Sequence, residues 1–100
     1  MNSNIREHWL DYMSNVTKDP RLNVWHISLI YAIVQLAYRQ DEKEVIRVSR
    51  SKLMKLSHIA TFPTYHKYFQ QLQDLGYIAY KPSYHPGFRS IVKITKFKIG

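Results

Sequence analysis

Apolar residues recur at spacings of three and four from Ile5 to Val16, where Ile5, Trp9, Tyr12, Met13 and Val16 form one stripe of an amphipathic helix. Thr17-Lys18-Asp19-Pro20 ends that helix, since Pro20 disfavours helical geometry in the residue before it, and Asn23 is placed to cap the next one. Trp25 to Arg39 is apolar nearly all round, which predicts a central, buried helix. It is too short to span a bilayer, and its polar His26, Ser28 and Gln35 mark it as protein core, with His26 read as a hydrogen-bonded core histidine. Gln40 to Glu44 is a charged connector, and β-branched Val45-Ile46-Arg47-Val48 predicts a short strand. Ser49 can cap a short helix from Arg50 to Ser57 whose apolar face is Leu53, Met54 and Leu56, and His58 to Thr61 makes a turn. Pro63 is tolerated only in a helix's first turn, so a further helix starts at Thr61 or Phe62; its stripe is Tyr65, Phe69, Leu72 and Leu75, and Gly76 stops it. Tyr77–Tyr80 and Ile91–Thr95 read as strands joined by a long hairpin loop that carries Pro82, Pro86 and Gly87.

The order is therefore helix, helix, short strand, short helix, turn, longer helix and two-stranded hairpin. With it, Val48 to Ile59, Thr64 to Tyr68 and Leu72 to Ile78 resemble a bacterial winged helix-turn-helix unit. Tyr80-Lys81-Pro82-Ser83-Tyr84-His85-Pro86 is similar to the wing of small DNA-binding proteins carried on bacterial mobile elements. The resemblance covers about residues 22 to 97, and residues 1 to 17 add a generic N-terminal helix. It departs from the pattern at Phe62-Pro63, where small polar residues are expected. It implies an α+β fold, a helical core with a C-terminal β-hairpin wing and a short third strand, formed as a single domain over residues 1 to 100. The function it implies is non-catalytic binding of double-stranded DNA, as a transcriptional regulator or as an accessory factor in replication, excision or transfer of a mobile element.

Charge sharpens the picture. The 100 residues hold 15 Lys and Arg against 7 Asp and Glu, a formal +8, which favours a polyanionic partner. Residues 1–44 carry five bases and six acids, net −1, whereas residues 45–100 carry ten bases and one acid, net +9. The basic surface thus belongs to the second half, although a generally solvated basic face would give the same count. The absence of cysteine excludes disulfides, thiolate nucleophiles and Cys-based metal sites. The polar N-terminus does not read as a signal peptide and no long apolar run predicts a membrane span, so a reduced, cytoplasmic protein is expected.

A helix read by the major groove needs polar side chains on its outer face near its N-terminus. Thr61, Thr64, His66, Lys67, Gln70 and Gln71 are the candidates, with Thr64 and Lys67 foremost; an ordinary polar helix surface is the alternative. In the short helix, Arg50 and Lys52 occupy the first turn, where the helix dipole disfavours cations. With Ser49, Ser51 and Lys55 they suit backbone phosphates, unless they form only a solvated basic turn. In the hairpin loop, Lys81, Ser83, Tyr84, His85 and Arg89 can meet flanking phosphates or the minor groove. Lys93, Lys96 and Lys98 either extend this surface or protect a strand edge. Tyr65, Tyr77 and Tyr80 fit core positions, which leaves base stacking on single strands a minor alternative.

The histidines form no HExxH or close ligand pair, the acids are scattered, no serine lies in a GxSxG setting, and no Gly-rich phosphate loop occurs. No metal, cofactor, small-molecule ligand or catalytic role is expected. The N-terminal helix either closes the core or pairs with a second copy, and a homodimer would suit a palindromic site. A protein-interaction winged helix and a single-strand or RNA-binding domain are the competing readings.

Overall fold

A computed structural model describes residues 3–85, 87 and 89–95. The chain forms α1 (Ser3–Val16), α2 (Val24–Arg39), β1 (Val45–Val48), α3 (Arg50–Ser57), α4 (Phe62–Asp74), β2 (Ile78–Lys81) and β3 (Ser90–Ile94). The three strands make one antiparallel sheet in the order β1-β3-β2. Val45 stands opposite Lys93 on one side of β3, and Ala79 stands opposite it on the other. The result is a compact α+β domain of 34 × 32 × 21 Å, four helices and a small sheet.

α2 is the central element, touching α1, α3, α4 and β1. Its inner arc of Leu29, Ile30, Ala32, Ile33 and Ala37 is fully enclosed, together with Ile46, Leu53, Leu72 and Val92 from the surrounding elements. It is not buried all round as its composition suggests. Val24, Tyr31 and Tyr38, seven residues apart and so on one line of the helix, face solvent, with Tyr31 53% and Tyr38 45% exposed. A tyrosine can occupy such a position because its hydroxyl stays hydrated while its ring covers the neighbouring surface.

The ends of the elements follow local chemistry. Asn23 caps α2 through its Oδ1, which accepts from the Trp25 and His26 amides, while His26 Nδ1 accepts from the Asn23 amide. With Nδ1 an acceptor, the neutral ring carries its hydrogen on Nε2 and donates it to Gln71 Oε1 at 2.6 Å, joining the start of α2 to α4. Ser49 Oγ accepts from the Lys52 amide and starts α3; His58 ends it in the left-handed region at φ 62°. α4 begins at Phe62 with Pro63 in its first turn, and Gly76 at φ +83° turns the chain into β2.

α1 closes the core within its own chain. Ile5, Trp9, Tyr12 and Val16 are buried, Trp9 meets Tyr12 edge-on at 5.4 Å, and the Trp9 indole donates to the Glu42 carbonyl at 3.1 Å. Lys93 is not an edge residue, since β3 lies in the middle of the sheet; its side chain is exposed there and protects no edge. Lys96 and Lys98 lie outside the described residues. Among the described residues, no helix is long and apolar enough to cross a membrane.

The α1–α2 connector is tied to the residue that precedes β2 by Asp19, which accepts two hydrogen bonds from the Arg21 guanidinium and one from the Tyr77 hydroxyl at 2.5 Å. Arg21 first and Tyr77 second hold the Asp19 carboxyl well below the usual carboxylate range. Burial, and then the bond to Asp19, push Tyr77 up to about 12. Because the folded-state value of Asp19 is depressed, its stabilisation is complete above the unfolded-chain value of 3.8 and is lost as the pH falls below it. Asp19→Asn will therefore lower the melting temperature at neutral pH, and the gap from the wild type will narrow as the pH is taken down through the acid range. A gap that stays constant in thermal melts would remove the charge of Asp19 from the connection.

Candidate nucleic-acid interface

The site is assembled where three segments meet: the start of α3, the His66 flank of α4 and the end of the β2–β3 connection at Arg89. The outer side of α4 follows from its inner one. Tyr65, Phe69 and Leu72 are buried at helical spacing, which turns Pro63, Lys67 and Gln70 directly away from the core and places His66 and Thr64 on the two flanks. Lys67 is exposed, with its ammonium 5.2 Å from the Tyr68 ring centroid. Gln70 is exposed and donates to Asp74 at 3.0 Å. Thr61 takes the cap position without a capping side-chain bond; its hydroxyl instead donates to Thr64 Oγ1 at 3.0 Å, leaving the Thr64 hydroxyl a hydrogen of its own to donate.

Gln71 does not belong to the outer face. It is half-buried and its amide oxygen receives the His26 Nε2 hydrogen, so it serves the core. Gln71→Ala will lower stability by about 1–3 kcal/mol, the cost of leaving a buried donor without its acceptor, and will leave any base preference as it was. Thermal unfolding and site selection on the same variant separate the two effects: an altered preference at unchanged stability would return Gln71 to the interface.

Arg50 stands at the first turn of α3 with its guanidinium 4.5 Å from the centroid of the Phe62 ring. That contact gives Phe62, 54% exposed, a physical role at the start of α4: it is a platform that steadies a cation. It also joins the two helix starts. Ser49 and Ser51 lie beside Arg50 with their hydroxyls 3.5 Å apart, and Lys52 and Lys55 follow on α3, both exposed.

Between these helix starts and the strands lies an open cleft of about 440 Å³, bounded by Arg50, His66, Tyr80 and Arg89 and floored by Tyr65 and Phe69. Tyr65 stacks on Phe69 at 5.2 Å, and Phe69 meets Tyr80 edge-on at 5.0 Å. Tyr80 is not a core residue: it is 37% exposed on edge strand β2 and its ring forms a wall of the cleft. Burial first, then Tyr80, raise the Tyr65 hydroxyl above its ordinary value while Arg50 opposes them, so Tyr65 stays neutral at physiological pH.

In the β2–β3 connection, the Ser83 amide donates to Ser90 Oγ at 3.1 Å and the His85 amide donates to Ser83 Oγ at 3.4 Å. Ser83 therefore shapes the loop rather than offering itself outward. Tyr84 is 87% exposed, and Lys81, His85 and Arg89 are exposed with it. Pro86 lies outside the described residues.

Among the described residues the only ion pair is Arg21–Asp19, far in sequence from this site, so Arg50, Lys52, Lys55, Lys67 and Arg89 have no carboxylate partner there. Such cations are free to meet an external anion. Two that the sequence pattern does not single out, Arg39 and Arg47, lie beside them in a second cleft that shares Arg89, Lys52 and Lys55. No group of three or more metal-ligating side chains occurs among the described residues. No family model, curated protein or solved structure matches the chain.

Proposed function

We propose that this chain binds double-stranded DNA without catalysing a reaction, in the manner of a winged helix-turn-helix protein. α4 enters the major groove with Lys67 and Thr64 toward base edges. The first turn of α3 holds phosphates, and the β2–β3 connection acts as a wing on the flanking backbone through Lys81, Tyr84, His85 and Arg89. The observation that carries this reading is that the start of α3, the His66 flank of α4 and the end of the β2–β3 connection line one cleft whose cations, Arg50 and Arg89, lack acidic partners among the described residues. The service performed is regulation of transcription or an accessory step for a bacterial mobile element.

Converting Arg50 and Lys52 together to Gln tests it. Affinity will fall by a similar factor on every duplex, and the slope of log affinity against log salt will flatten by roughly 0.9 for each phosphate no longer neutralised. An unchanged slope in the double variant removes both residues from the interface.

A protein contact can accompany this role, because Leu10 of α1 and Tyr31 and Tyr38 of α2 border an exposed, largely apolar groove that meets the basic surface at Arg39. A second copy pairing there would present two copies of α4 to a palindromic site. Sedimentation decides it: a mass that stays monomeric with and without a palindromic duplex rules the pairing out.

A further inference from the structure

We propose that the second basic cleft, between the end of α2, edge strand β1 and α3, holds the sugar-phosphate backbone of duplex DNA beyond the segment that α4 reads. The cleft has a volume of about 520 Å³ and gathers five cations from four parts of the chain: Arg39 of α2, Arg47 of β1, Lys52 and Lys55 of α3, and Arg89 before β3. Gln40 is the remaining polar residue on its wall and no carboxylate lines it among the described residues. Like charges gathered in one concave surface repel one another and concentrate the field of one sign, and that field draws in anions.

Local stability accounts for two of these five positions. Arg39 and Lys55 sit in the last turns of α2 and α3, where the helix dipole favours a cation. Lys52 sits at the opposite, unfavourable end of α3. Arg47 stands opposite Ile91, so no charge on β3 answers it across the strand pair. None of the five is in an ion pair among the described residues. A charge that destabilises the fold where it stands is more readily explained by what binds there.

The side of β1 away from β3 would ordinarily offer its backbone to an added strand. Here it is closed at Arg47. The Gln40 amide oxygen accepts from the Arg47 N–H at 2.9 Å, and the Gln40 amide nitrogen donates to the Arg47 carbonyl at 2.8 Å. This pair fixes β1 to the end of α2 and occupies the Arg47 groups that a peptide strand would use where the cleft lies. What is left for an occupant is side-chain positive charge, which suits a phosphate chain and not a polypeptide edge.

Continuity with the first cleft points to the same occupant. Arg89 lines both, and α3 contributes Arg50 with its cap Ser49 to one and Lys52 and Lys55 to the other. A phosphate strand leaving the Arg50 side passes Arg89 and reaches Lys55 and Arg47 without crossing an acidic residue of either lining. The domain's longest extent of 34 Å is about one turn of B-DNA, so a duplex that stops at the bases α4 reads fills only the first cleft, and one extended by about a turn toward Arg39 and Arg47 fills both.

This inference rests on the DNA-binding reading, and the test keeps the two apart. The full chain is titrated against two duplexes carrying the same selected site, one that stops at the bases α4 reads and one extended on the side of the second cleft by about 10 base pairs, one helical turn. The wild type will bind the longer duplex more tightly and with a steeper salt slope. Arg39→Gln with Arg47→Gln will leave the short duplex unaffected, erase the gain from length, and flatten the slope on the long duplex by roughly 0.9 per phosphate, up to about 2. Arg39→Lys with Arg47→Lys will restore most of the slope, since a phosphate contact needs a charge and not a guanidinium fork. Both arginines are exposed, so the variants keep the fold, and a thermal melt confirms it. An unchanged slope on the long duplex for the double Gln variant overturns the second cleft alone. Tighter binding of the same-length single strand than of the duplex overturns the duplex as its occupant. Failure of the wild type to bind either duplex overturns the DNA-binding reading itself, and this inference with it.

Discussion

Trp9→Ala will destabilise the domain by about 3–5 kcal/mol, the usual cost of deleting a large aromatic from a packed interior. Native domains hold only about 5–15 kcal/mol in total, so the substitution removes a large share of the margin. At about 4–8 °C per kcal/mol for a domain of this size, the melting temperature will fall by roughly 12–40 °C. The argument rests on three observations. Trp9 is 3% exposed, it meets Tyr12 edge-on, and its indole hydrogen bonds to the Glu42 carbonyl, which pins the connector between α2 and β1. Removing the ring opens a cavity between α1 and α2 and frees that connector at once. Trp9→Phe, which keeps most of the volume and gives up the hydrogen bond, will cost much less, on the order of 1 kcal/mol for the bond plus a smaller cavity term. Affinity of the folded fraction for a duplex bound by one copy will not change, because no α1 residue lines either basic cleft. Urea unfolding followed by duplex titration reads both quantities. A midpoint that hardly moves for Trp9→Ala would mean that α1 contributes nothing to the core.

That result also bears on what a sequence can and cannot reveal. The α1 stripe is legible because apolar residues at helical spacing have one purpose, burial, and spacing alone identifies the face. Ser49, Asn23 and Gly76 are legible for a similar reason: caps and stops are local chemistry, written within a few residues of where they act. α2 reads from its composition as enclosed on all sides because apolar content does not distinguish a tyrosine that covers a surface from one inside it; only the packing of α1, α3 and α4 decides which line of the helix stays open. Gln71 reads as outward because its partner, His26, lies 45 residues away in sequence. Lys93 reads as a possible edge residue because hairpin order does not tell which strand β1 will join. Arg39 and Arg47 escape notice for a related reason. The count of charge by sequence halves puts Arg39 among six acids, whereas the fold carries the end of α2 to the side of α3 and makes it part of a cleft lined by five cations. Linear charge locates a surface only as far as the fold keeps sequence neighbours together.

Lys67→Ala and Arg89→Ala will fail in different ways on DNA, and the difference tests the assignment of reading to α4 and holding to the hairpin. Lys67 projects opposite the buried Tyr65, Phe69 and Leu72, on the line of α4 that a groove would meet first. A side chain there that reaches a base edge discriminates by about 1–3 kcal/mol, roughly 5- to 150-fold between the best site and a scrambled duplex. A phosphate contact carries almost no such discrimination, since every sequence offers the same backbone. Lys67→Ala should therefore lower affinity for the best site much more than for the scrambled one, and relax preference at one or two base pairs. Arg89→Ala should lower both affinities alike and flatten the salt slope, because Arg89 lines both clefts at the level of the flanking backbone. Tyr65→Ala is the contrasting control: buried and stacked on Phe69, it will cost about 3–5 kcal/mol of stability, so its loss of binding will track loss of fold. Equal losses on both duplexes for Lys67→Ala would refute the reading role and turn α4 into one more surface that holds phosphates, with sequence choice left to DNA shape or to another element of the chain.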